Sequence, residues 1–269
     1  MTNYKTIFLI ASALLFLAFY GERQQEVAIT ATETENDGGF EVTAEKTEVQ
    51  TEVDFDGKKN KHPIDIRMDK EFEEALTTAD FRQVYENALE AWEEEMNKNY
   101  QTLMDKLSKQ ECRQKLENAQ KAWLAFSNDE QSFNYSYWCL FQGTMYANNP
   151  LSYKTYSVRK RAFVLSLYYD KNISTADIYY QHKSSKTEEE LDKMLNKNYQ
   201  ALMKKLSKEN QGKLRLAQRK WITYRDAEDD CYNSCCLKTL NPDYRLFIIE
   251  ERVNQLNYYL DDLIEYFGN

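Results

Sequence analysis

The sequence predicts an all-α protein, built as two tandem three-helix repeats after a signal segment and a disordered acidic tether. Three observations carry this. The 269 residues include only seven Gly and three Pro, where average usage gives about thirty together, which disfavours turn-rich sandwiches and glycine-loop nucleotide folds. MNKNYQTLMDKLSK, beginning at Met96, returns as LNKNYQALMKKLSK from Leu195 with eleven of fourteen positions identical. Within both stretches the apolar residues recur at helical spacing.

The chain opens with Lys5 ahead of an uncharged run from Thr6 to Gly21, almost wholly apolar between Ile7 and Tyr20. Those fourteen residues would span about 21 Å as a helix, short of the roughly 30 Å of a bilayer core. Residues 1–21 therefore read as a secretory signal peptide, or as an anchor where no cleavage occurs. Residues 22–70 read as the tether. From Glu22 to His62 eleven acids face five bases, and no apolar period is sustained. The formal charge of -9 argues against binding a phosphate backbone, so no nucleic-acid partner is expected. Membrane contact is expected only through an uncleaved N-terminal segment.

The first repeat is expected over 71–172, with helices near 71–108, 111–130 and 150–170. The second is expected over 173–269, with helices near 187–207, 210–232 and 242–267. Met96, Tyr100, Leu103 and Leu107 share one helix face, as do Leu195, Tyr199, Leu202 and Leu206. AQKAWLAF from Ala119 matches AQRKWITY from Ala217, so Gln120 and Trp123 correspond to Gln218 and Trp221. Thr187 ahead of Glu190 reads as a capping box. Asn149-Pro150 and Asn241-Pro242 read as starts of the third helices, each ahead of an Arg-x-x-x-Leu run: Arg161 to Leu165 and Arg252 to Leu256.

Between the second and third helices of the first repeat lies a connection rich in rings: Phe133, Tyr135, Tyr137, Trp138, Phe141 and Tyr146. It reads either as packing between the copies or as an aromatic contact loop carried by Tyr135, Tyr137, Trp138 and Phe141. Five cysteines, Cys112, Cys139, Cys231, Cys235 and Cys236, fit an exported protein with disulfides. Two bridges among five cysteines can be drawn fifteen ways, so the pairing is open. No metal is expected, because His62 and His182 both lie far from the cysteine cluster in sequence.

The second copy reads Leu195-Asn196, Tyr199, Leu202, Leu206, Leu214, Gln218, Trp221, Tyr224-Arg225-Asp226 and Cys231. This pattern resembles the N-terminal-type domain of the lysozyme inhibitor LprI family, small exported bacterial helical domains. The first copy keeps Asn97, Tyr100, Gln120 and Trp123 but has Ser127-Asn128 where the second has Arg225-Asp226. The resemblance implies a protein partner, lysozyme or another muramidase, and a periplasmic, envelope or secreted location.

Asn196, Gln218, Arg225 and Asp226 are expected to meet across the hairpin as a polar cluster, in which the Arg and the amides either donate to a protein or glycan partner or, for the amides, satisfy one another around Trp221 and Tyr199. Asn97, Tyr100, Gln120 and Trp123 pose the same choice. No catalytic residue and no cofactor are expected, since neither histidine lies in patterned helix and the acidic runs read as solvated faces. The leading reading is a binding protein that restrains a muramidase. The alternative is a non-catalytic envelope adaptor. For a basic lysozyme, the acidic charge would aid encounter.

Overall fold

A computed structural model describes residues 62–169, 184–235 and 244–268. The signal segment, the tether up to residue 61, His182, Cys236 and Asn241-Pro242 lie outside these residues. The described chain forms seven α-helices: α1 Pro63–Glu74, α2 Thr78–Lys106, α3 Gln110–Trp138, α4 Asn149–Leu167, α5 Glu188–Lys205, α6 Lys208–Ser234 and α7 Tyr244–Phe267. The first repeat uses α2 to α4 and the second uses α5 to α7.

Where these bounds differ from the sequence reading, a local cause is visible. One helix was expected over 71–108, yet the backbone is extended at Ala75 and restarts after Thr77. Thr77 accepts from the Asp80 backbone N–H while Asp80 accepts from that of Thr77. That capping box ends one helix and begins another. Residues 63–70, assigned to the tether, belong to α1. Asp65 there holds Arg159 of α4 through two contacts of 2.8 and 2.7 Å, and His62 caps the helix through its ring nitrogen. The capping box expected at Thr187 and Glu190 is present. Asn148 precedes α4 without capping it, and its amide instead donates to the Thr78 carbonyl.

The ring-rich connection is not a loop in its first half. No Gly or Pro interrupts residues 130–142, and Phe133, Tyr137 and Phe141 continue a four-residue spacing that keeps α3 helical to Trp138. Phe133, Tyr137, Trp138 and Phe141 are buried, stacked among Tyr146, Tyr259 and Tyr266. Core packing therefore takes these rings. Tyr135 alone among the four named for contact is 66% exposed.

The first and third helices of each repeat pack together in parallel. Asn99 of α2 donates to the Ala162 carbonyl of α4, and Asn198 of α5 donates to the Val253 carbonyl of α7. The middle helices α3 and α6 pack antiparallel. Lys115 meets Asp230 at one end, Ser136 meets Asn210 at the other, and Phe126 stacks flat on Tyr224 midway. Phe126 and Tyr224 are equivalent positions, 98 residues apart, so the copies are related about that stack by an approximate two-fold. One hydrophobic core runs through both repeats. A disulfide between Cys112 and Cys235 joins the start of α3 to the end of α6.

Candidate functional site

The repeated polar residues divide into two groups. Gln120, Gln218, Arg161 and Arg252 build the core. Arg161 of α4, 1% exposed, donates to Gln120 at 2.9 Å and to Glu228 at 2.8 Å. Tyr168 also donates to that carboxylate. In the second repeat Arg252 donates to Gln218 at 2.9 Å and pairs with Glu130 at 3.0 Å, with Tyr259 donating to the same carboxylate. Each arginine thus bonds the glutamine of its own repeat and the glutamate of the other. Burial alone would disfavour the Arg161 charge, and the Glu228 carboxylate more than restores it.

The sequence reading grouped Gln218 with Asn196, Arg225 and Asp226. The structure sends its carbonyl oxygen to Arg252 instead. Arg225 pairs with its neighbour Asp226 at 2.9 Å and lies over the Trp221 ring at 5.3 Å. Asp226 also meets Arg245 of α7. Glu130, Glu228, Tyr168 and Tyr259 were missed as partners. Glu130 and Glu228 are an equivalent pair at the same 98-residue offset as the glutamines, a signal that lining up the copies further would have shown.

The second group is exposed. Asn97 and Asn196 occupy equivalent surface positions, Tyr100 and Tyr199 are half-buried beside them, and Trp123 and Trp221 are buried beneath. Among the described residues neither asparagine makes a side-chain hydrogen bond. In the second repeat these positions border a groove of about 340 Å³ between α5 and α6. Asp192, Leu195, Asn196 and Tyr199 come from α5; Arg215, Gln218, Arg219, Trp221, Ile222 and Arg225 come from α6. Each set follows one helical stripe. The floor is apolar, and three guanidinium groups face one carboxylate along the walls.

Cys231, although motif-like, is buried. Burial first, and nearby Glu228 next, push its thiol up to about 12, which keeps it protonated and inert. Cys139 is a free, exposed thiol.

The family model of the lysozyme inhibitor LprI matches residues 70–165 and again 174–256, covering both copies. The chain belongs to the LprI lysozyme inhibitor family. A crystal structure of an uncharacterized protein from Burkholderia thailandensis aligns with a TM-score of 0.59 at 25% identity, covering 75% of this chain and 97% of that one. No curated protein matches. In this LprI chain the pattern resolves into a buried half, which locks two repeats together, and an exposed half at the α5–α6 groove. Among the described residues no helix is long and apolar enough to cross a membrane.

Proposed function

We propose that this LprI-family protein is an exported inhibitor that binds a muramidase by protein–protein contact, without catalysis of its own. Family membership carries the reading, and the exposed groove supplies a surface for it. The buried glutamine, arginine and glutamate groups are consumed by the fold, which leaves Asn196, Tyr199, Arg225 and the rims of α5 and α6 to touch a partner. A groove of guanidinium and amide donors over an apolar floor suits recognition by shape and hydrogen bonding.

An acidic chain still gains encounter rate with a basic lysozyme, but the groove itself is rich in arginine. Contact there suits carboxylates on the muramidase, whose kind of chemistry uses paired Asp or Glu side chains in a cleft. The test is titration of the purified protein into a lysozyme turnover assay. Turnover should fall with a stoichiometric end point at micromolar protein; unchanged rates would end the reading and leave the envelope adaptor.

A further inference from the structure

The two copies of the groove have diverged in charge while keeping their frame. Asn97 and Tyr100 match Asn196 and Tyr199, but Glu117 stands where the second copy has Arg215, and Ser127 stands where it has Arg225. In the first copy Glu117 is neutralised by Lys121 across one helical turn. In the second copy Arg215 and Arg219, again one turn apart, are both exposed, and among the described residues neither has an ion pair. Arg225 is held behind them by Trp221 and Asp226. Arg215 and Arg219 both line the groove beside Asn196, Tyr199 and Ile222, so their guanidinium donors face it uncommitted to any carboxylate among the described residues.

We propose that the α5–α6 groove of the second repeat is a binding site for an acidic polypeptide segment of a partner protein, and that the first repeat's counterpart is not. Arg215 and Arg219 project one turn apart along α6, about 6 Å between their Cβ atoms, close to the separation of alternate side chains on an extended peptide. Guanidinium groups donate to carboxylates in fork geometry. Ile222, the next residue of this stripe after Arg219, and the apolar floor take an aliphatic side chain two positions further along the same face of the peptide, while the Asn196 amide and Tyr199 hydroxyl can meet the peptide backbone. A nucleic-acid ligand fits less well, since Asp192 edges the groove and the chain carries a net charge of -9. This site rests on the same groove and carboxylate chemistry as the inhibition reading, but its assay contains no muramidase, so the two can fail separately.

The experiment follows the fluorescence anisotropy of a labelled oligo-glutamate peptide with one central leucine, titrated with the full chain. Binding should weaken about tenfold or more in R215E/R219E and weaken further as salt rises. Both substitutions lie on an exposed helix face, so circular dichroism and the melting temperature should stay unchanged. E117R/S127R should add a second peptide site in the first repeat. Equal affinity in wild type and R215E/R219E overturns the proposal, as does absence of binding to wild type. Preference for a duplex DNA fragment over the peptide would also overturn it, in favour of phosphate recognition.

Discussion

Arg161 and Arg252 decide more about this molecule than any other residues. Each is 1% exposed, each carries a charge into the interior, and each is neutralised from the opposite copy. A buried pair of this kind adds little over apolar packing, but removing one partner is costly because the other charge is left behind. Glu228→Ala should therefore destabilise the protein by about 3–5 kcal/mol, read as a drop in the urea midpoint. Glu228→Gln, which keeps an acceptor for Tyr168 and Tyr244, should cost less. Asp262 adds a pH dependence. Burial first, then Glu265 and Asp261, raise its carboxyl from 3.8 to about 7. A carboxyl that holds its proton more tightly when folded stabilises at low pH, and that contribution is lost as the pH rises from 3.8 through about 7. Melting temperature should fall between about pH 4 and about pH 7, and Asp262→Asn should flatten that slope; a slope unchanged in the variant would assign it to other groups.

At the scale of elements, the middle helices hold the copies together and the disulfide fastens them. Cys112–Cys235 closes a loop spanning 123 residues. Its removal by Cys112→Ala should cost about 2–5 kcal/mol, measured by chemical denaturation with and without reductant. At the end of α3, Tyr137 and Tyr135 separate packing from contact. Tyr137→Ala should destabilise by about 3–5 kcal/mol, whereas Tyr135→Ala should leave stability within about 0.5 kcal/mol. The helices around the repeated motif were legible because both copies report the same 3.6-residue period. The Thr187 cap was legible from its spacing. The Thr77 break was not, since Thr-x-x-Asp sits inside a run that is helical on both sides. The tail of α3 was misread because a density of rings looked like a loop, although no residue there breaks a helix. Of the site, the residue types were legible and their pairing was not. Gln218 lies near Asn196 by any hairpin argument, but its partner arrives from α7, and Glu130 and Glu228 arrive from the other copy. Long-range partners of that kind leave no local spacing to read.

For the whole molecule, the duplication produced one interlocked body rather than two beads. The exchange of glutamates, the Phe126–Tyr224 stack and the shared core all cross the boundary between copies. Core positions match between the copies while the surface differs, and the groove of the second repeat carries Arg215 and Arg219 where the first has the Glu117–Lys121 pair. The inhibitory reading depends on this division, because a groove whose back wall is tied to Arg252 through Gln218 keeps its shape only while both copies are docked. The most direct measurement is to express residues 1–172 and 173–269 separately, then follow helix content, cooperative melting and mass for each half and for their mixture. Neither half should fold as a monomer, since each would bury an arginine without its glutamate, and mixing should restore the cooperative transition of the intact chain. A half that melts cooperatively as a monomer would contradict the account.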